Sequence, residues 1–547
     1  MRPKIRGTSL VGFTDVAHHE GSTFLAIDPR TGAALHPPFA EASSADVARA
    51  TTLAWRAFPR YRATGPDLRA AFLENIATGL EENRALITDR MVAETGLPAA
   101  RADTEMTRTL GQLRLFAAVV RDGSWRQARI DPGDPDRVPV PRPDIRQRAV
   151  PLGPVAVFAA GNFPLAFSVA GGDTAAALAA GAPVIVKGHP GHPGTSELVG
   201  RVVREAVRSH DLPEGVFSLL QGASDELGEQ LVTAPLVAAV AFTGSRAGGM
   251  ALATAAQRRP APIPVFAEMS AVNPVILLPD ALHRRAGALA VDYVASVTGS
   301  MGQLCTKPGL VYVLDGPLAH RFLDSAAAAL RAMPAGPMLT SKIAASYRRR
   351  LAEVTSLDGV GTVALSRCDG TAETFAAPHL LVTTGDVVLG QPTLSEEIFG
   401  PASVVVRVRD EAQLAELLRI LPGQLTATMH VGDADDSLAA ALIEELELIA
   451  GRVIVNGWPT GVEVCHAMVH GGPFPATSAA ATTSVGSRAI ERFLRPVAYQ
   501  AVPERLLPPE LRTDPPYAVP RLIRGVPEAV TPQLNDESVT NDLLKTN

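Results

Sequence analysis

The sequence predicts an α/β protein, a doubly wound parallel sheet followed by a second α/β unit, and three observations carry that prediction. Between residues 155 and 242 short apolar runs alternate with helical stretches, the pattern of a parallel sheet with helices packed on its faces. The chain has 547 residues, too many for one hydrophobic core, so two or three domains are expected. Its composition, 46% apolar and 19% charged with much Ala, Gly and Pro, fits a packed globular protein rather than a disordered or fibrous one.

The first elements are short strands at 9–13 and 24–27, ended by the turn Asp28-Pro-Arg-Thr-Gly32. Helices follow. Ser43 or Ser44 caps one that runs through Trp55 and Phe58, and Pro66 opens another in which Leu68, Phe72, Ile76 and Leu80 share a face. A third stops at Gly96 with Pro98 beyond it, and a fourth covers about 101–121 before Trp125. Prolines crowd 131–144, which marks an excursion. The regular part then reads as strands at 155–158, 184–187, 216–220 and 237–242, with helices at 166–180, 196–209 and 225–231 between them. After Pro264 a second pattern begins: strands at 265–269 and 275–278, a helix at 281–298, a strand at 310–314, a helix at 318–333, and strands at 380–383, 404–408 and 453–456. Residues 497–502 alternate like an edge strand, while 503–547 are Pro-rich and aperiodic, expected to be an extended arm or partly disordered tail.

Bulk properties narrow the function. A net charge of −6 without a basic stripe argues against nucleic acid and favours a small-molecule substrate. The three cysteines, Cys305, Cys368 and Cys465, make no disulfide framework and point to a reducing, cytoplasmic setting. The N-terminus is basic but lacks the apolar core of a secretory signal, and no run of about 18 apolar residues marks a membrane span.

Parallel sheets bind ligands at the carboxyl ends of their strands. Those ends here carry Gly161-Asn162-Phe163-Pro164, Lys187-Gly188-His189-Pro190, Gln221-Gly222 and Phe242-Thr243-Gly244-Ser245. The last resembles a phosphate cradle, although a Gly-rich turn without a ligand would read the same way. Cys305 sits in Met301-Gly-Gln-Leu-Cys305-Thr306, among small, turn-forming neighbours. An isolated cysteine is commonly a small core residue, but this setting suits a reactive thiol. A thiol nucleophile needs an oxyanion donor and a base for the second step. Asn162 beside a buried strand offers the first, and Glu268 at the end of an apolar strand, where burial raises a carboxyl, offers the second. Each also reads as an ordinary turn or ion-paired residue. His466 and His470 read as packing or loop residues, and no metal site is expected because Cys465 lacks a C-x₂-C partner.

Taken together, Asn162-Phe-Pro164, Phe242-Thr-Gly-Ser245, Glu268 with Asn273-Pro274, Gly302-Gln303-x-Cys305-Thr306 and Glu396-Glu397-Ile-Phe399-Gly-Pro401 resemble the aldehyde dehydrogenase superfamily in order and spacing. Residues 162–173, 187–197, 272–274, 470–477 and 493–500 look most like the 2,5-dioxovalerate (α-ketoglutaric semialdehyde) dehydrogenases and the related NADP-dependent fatty aldehyde dehydrogenases. The resemblance implies a Rossmann-like dinucleotide-binding domain over 1–125 and 151–267, a catalytic domain over 268–480, and an oligomerisation flap from 126–150 and 481–502, in a cytoplasmic homodimer or homotetramer. It implies Cys305 as nucleophile forming a thioester, Asn162 as oxyanion donor and Glu268 as deacylating base. For the cofactor it implies contacts from Lys187, Gly222, Gly244, Ser245, Glu397 and Phe399. NAD-preferring relatives carry an acid three residues after the strand-end lysine, where this chain has Pro190. With His189 and His192 nearby, NADP is expected, NAD possible.

The substrate stays open between two readings. A dioxovalerate would need a basic residue, for which Arg114 or Arg121 is available, unless both are solvated surface charges. A fatty aldehyde would need an apolar tunnel of Leu113, Phe116, Phe163 and Phe167. Two rivals are weighed as well: a CoA-acylating relative, disfavoured by Glu268, and a nucleotide-binding or esterolytic protein without dehydrogenase turnover.

Overall fold

The structure is a computed structural model that describes residues 3–17, 22–368 and 370–528. Two seven-stranded sheets and one five-stranded sheet organise it. In the first, Val265–Glu268, Ala239–Thr243, Val155–Phe158, Val184–Lys187 and Phe217–Leu220 run parallel in that spatial order, and the hairpin Ser9–Val11 with Thr14–Val16 closes the edge antiparallel. Alternation of strand and helix forces this handed, parallel arrangement. The strand expected to open the second unit, at 265–269, instead hydrogen-bonds along Ala239–Thr243 and ends the first sheet. Register then aligns the carboxyl ends: Phe158 faces Lys187 and Phe242, and Thr243 faces Glu268.

Of four N-terminal helices, Pro66–Glu82, Arg84–Thr95 and Ala99–Asp122 belong to the core on one face of this sheet, while Ser44–Arg62 sends Val47, Ala50 and Ala54 to the core on the other face and Ala57 and Tyr61 to the first. Ser43 caps the first in a reciprocal capping box with Asp46, and Gly96 ends the third in the left-handed region, φ 67°. In Pro66–Glu82 the buried face is Phe72, Ile76 and Leu80, whereas Leu68, in the first turn, remains 41% exposed. Asp173 at the start of Gly172–Ala180 pairs with Arg492 at 2.7 Å and ties the helix to 487–493.

The second sheet holds His379–Thr384, Ala402–Val408, Leu310–Leu314, Val275–Leu277, Gln424–His430 and Ala450–Val455 in parallel, with Gly361–Leu365 antiparallel at one edge. A third sheet corrects the reading of the tail. Leu494–Gln500 is indeed an edge strand, paired with Ile145–Pro151, but residues 503–528 are folded: Arg521–Ile523 lies parallel beside Ala128–Asp131. Glu510, 1% exposed, sits 2.6 Å from both Arg126 and Arg148. Short turns and one buried ion cluster order a stretch that has no helical or strand period to read. The rest of the expected tail, 529–547, lies outside the described residues. Among the described residues no helix is long and apolar enough to cross a membrane.

Candidate active site

Helix Pro279–Thr298 delivers the nucleophile candidate to the space between the two large sheets. It ends in a left-handed turn in which Ser300, Met301 and Gly302 have φ of 51°, 54° and 63°. For the first two, side-chain-bearing residues, that conformation costs on the order of 1–2 kcal/mol each, so neighbours must hold it. Gln303 does so: its Oε1 accepts from Leu339 N at 3.0 Å, its Nε2 donates to Ser300 O, and its carbonyl accepts from Asn162 Nδ2 at 2.9 Å. Gly302 is required because a Cβ there would meet Gly400 O at 2.1 Å, a backbone contact rather than room for a ligand.

Asn273, fully buried, fixes the next step of the chain. Its Nδ2 donates to Cys305 O at 2.8 Å and its Oδ1 accepts from Thr426. Asn162 stands beside the loop of Cys305, with one of its two amide hydrogens used on Gln303.

His470, dismissed in the sequence as a packing residue, is brought to the sulfur. Its Nε2 lies 3.4 Å from Cys305 Sγ and 2.8 Å from Glu268 Oε1, and one N–H cannot point at both. The loop that carries it is pinned: His470 N donates to Thr483 Oγ1, Ser484 N donates to His470 O, and a Cβ on Gly472 would meet Gln424 O at 2.1 Å. Ser484 Oγ donates to Glu268 Oε2 at 2.5 Å. Burial disfavours the imidazolium, yet Glu268 and Cys305 outweigh it and push His470 up to about 10. Burial likewise raises Glu268, but His470 first, then Ser484 and Arg492, bring it below its ordinary value. That reverses the expectation that burial alone would set this carboxyl. The donor atoms of Glu268, Cys305 and His470 lie within 4.8 Å of one another, one cation between two acids.

A cavity of about 2870 Å³ opens from Cys305, Asn162 and Glu268 along the strand ends of the first sheet. Lys187, Gly244, Ser245, Glu397 and Phe399 line it. Gly222 does not; its neighbours Ala223 and Ser224 do, and a Cβ on Gly222 would meet Leu227 at 2.4 Å. Helix Arg246–Gln257 starts at the cavity with Ser245 as its cap, accepting from Gly248 N, so its first free N–H groups face an anion's place. Burial pushes Lys187 down to about 8, with Asp225 and Glu41 opposing and Lys342 reinforcing. Lys342 also lines the cavity. Of the two histidines expected to help, His189 lines it but is held neutral by burial, and its Nδ1 accepts from Gly191 N. His192 is wholly buried, bonded to Ala160 O and Ser196 Oγ. A long cleft, a helix N-terminus and two lysines fit a dinucleotide.

On another side of Cys305, Phe163 and Phe167 form an edge-to-face pair 5.4 Å apart, packed with Val462, Val485, Leu304 and Met468. Leu113 and Phe116 are not part of this cluster; they fill the helical core. Nor do Arg114 and Arg121 reach it: Arg114 is exposed and Arg121 pairs with Glu74 at the surface. At about 100° per residue they fall roughly 120° and 140° around their helix from Arg108, and it is Arg108 that turns inward over Phe163 and Phe167.

The aldehyde dehydrogenase family pattern matches residues 16–494. The chain is 53% identical over 526 residues to alpha-ketoglutaric semialdehyde dehydrogenase 2 of Azospirillum brasilense, covering 96% of this chain and all of that one. It is 45% identical to alpha-ketoglutaric semialdehyde dehydrogenase of Acinetobacter baylyi, covering 89% and 92%. The fold is similar to that of lactaldehyde dehydrogenase, with a TM-score of 0.79 over 90% of this chain and 98% of that one at 21% identity.

Proposed function

The chain belongs to the aldehyde dehydrogenase family and is an NAD(P)-dependent aldehyde dehydrogenase, and from that premise we propose that it oxidises α-ketoglutaric semialdehyde (2,5-dioxovalerate) to 2-oxoglutarate. The observation that carries the substrate is the 53% identity, over nearly all of both chains, to an enzyme of that name. In the proposed mechanism Cys305 attacks the aldehyde carbon, with the His470 cation beside its sulfur. Asn162 Nδ2 and the Cys305 N–H receive the oxyanion. The bound dinucleotide supplies the hydride acceptor. Oxidation leaves a thioester on Cys305. Glu268, backed by His470, then takes a proton from water as it attacks the thioester. Measuring kcat/KM for α-ketoglutaric semialdehyde against a medium-chain aldehyde tests the assignment; a higher value for the medium-chain aldehyde would favour the fatty aldehyde alternative instead.

The same reading takes Lys187, Gly244, Ser245, Glu397 and Phe399 as the cofactor's holders and NADP as the preferred form. Pro190 in place of an acid supports it, as do the two lysines. Burial holds Glu397 above its ordinary value, offset by Lys307. Residues 1–125 with 151–267 form the cofactor unit and 268–480 the catalytic unit in this reading. The free side of strand Leu494–Gln500 supports a homodimer or homotetramer joined through 126–150 and 481–502. Three free cysteines are compatible with a cytoplasmic location.

A further inference from the structure

Arg108 Nε and Nη2 are buried and have no hydrogen-bond partner among the described residues. Those two atoms form one edge of the guanidinium, the edge whose parallel N–H groups grip a carboxylate with two bonds. The group lies 5.7 Å from the Phe163 ring centre and 5.1 Å from that of Phe167, in the cluster that packs against Cys305. Its neighbour Glu105 cannot serve it: one oxygen accepts from Arg101 at 2.6 Å, the other from Leu165 N and Ala166 N at 2.8 and 3.0 Å. Arg452 is a second inward cation, its Nη1 and Nη2 donating to Gly461 O and Pro459 O and its Nε also unpartnered. Those bonds hold the loop whose Val462 packs beside Phe163. Both arginines are within electrostatic reach of Cys305, and Arg452 of Arg108. A buried guanidinium edge without a protein partner is costly unless an anion meets it.

We propose that the free edge of Arg108, with Arg452 adding positive charge, is the subsite that takes the carboxylate of a 2-oxo-acid aldehyde and so presents the aldehyde end to Cys305. This rests on the substrate reading above. The planar fork matches the coplanar oxygens of a 2-oxo carboxylate, and the phenyl rings suit the methylenes between its ends. The test compares kcat/KM for α-ketoglutaric semialdehyde and for pentanal, neutral and of equal length, in the wild type, Arg108→Met and Arg108→Lys. The selectivity ratio should fall about 100-fold in Arg108→Met, chiefly through KM for the acid, with a smaller fall in Arg108→Lys, which keeps the charge but not the fork. Inhibition by 2-oxoglutarate should weaken in parallel. An unchanged ratio in either variant overturns the subsite and leaves the substrate reading intact. A wild type that prefers pentanal overturns both. Should Arg108→Met not fold, the Arg108→Lys ratio and its 2-oxoglutarate inhibition decide alone.

Discussion

The two sides of Cys305 are built differently. On the side proposed for the cofactor much of the lining comes from strand ends and the turns that follow them, so Lys187, Ser245 and Glu268 are placed by sheet register. On the side proposed for the substrate, Arg108, Phe163, Val462 and His470 arrive from a helix and from irregular chain, held by single side-chain bonds and packing. A site laid down by topology tolerates change; one assembled from separate loops depends on each anchor. That contrast sets the scale of the expected effects.

Removing what both sides share should cost most. Cys305→Ala should lower kcat by about 10⁴-fold or more, read as reduced nicotinamide formed per second; residual turnover above a hundredth would place the nucleophile elsewhere. Glu268→Gln should keep a first-turnover burst and slow the steady state by about 10²–10⁴-fold, and a steady-state rate equal to the wild type would remove Glu268 from deacylation. Substituting the loop-borne residue, His470→Gln, should cost about 10–100-fold and move the alkaline limb of the pH profile. Folding raises His470's affinity for its proton, so the stabilisation from its ion pair is complete below the ordinary 6.5 and fades as pH climbs to about 10. Thermal melts between pH 6 and 10 should therefore lose more stability in the wild type than in His470→Gln; parallel curves would contradict the pair. Least affected should be the side proposed for the cofactor: Lys342→Ala, at the start of helix Ser341–Thr355, should reduce the preference for NADP over NAD about 5-fold, measured as a ratio of kcat/KM values.

The same contrast governs what could be read beforehand. Strands and helices of the first sheet follow from periods of two and 3.6 and from caps such as Gly96, and the motifs around Asn162, Glu268 and Cys305 are local in the chain. His470 was not legible, because its partners Glu268 and Cys305 are 202 and 165 residues away (470 − 268 and 470 − 305) and its own neighbours are turn glycines. Arg108 leaves a trace in the sequence: Arg101, Glu105 and Arg108 recur at helical spacing on one face, which Arg114 and Arg121 do not share. The left-handed turn at Ser300 and Met301 has no signature in residue type at all, since neither prefers that conformation.

Glu510 lies 384 residues beyond Arg126, the partner it neutralises. During synthesis, then, Arg126 and Arg148 are made long before their counter-charge, and strand Ala128–Asp131 keeps one edge open until Arg521–Ile523 has left the ribosome. A nascent chain stopped anywhere short of that strand would carry an unpaired sheet edge and two half-buried cations, the kind of surface that chaperones and proteases bind. The third sheet can therefore be completed only when nearly every other described element has already been made.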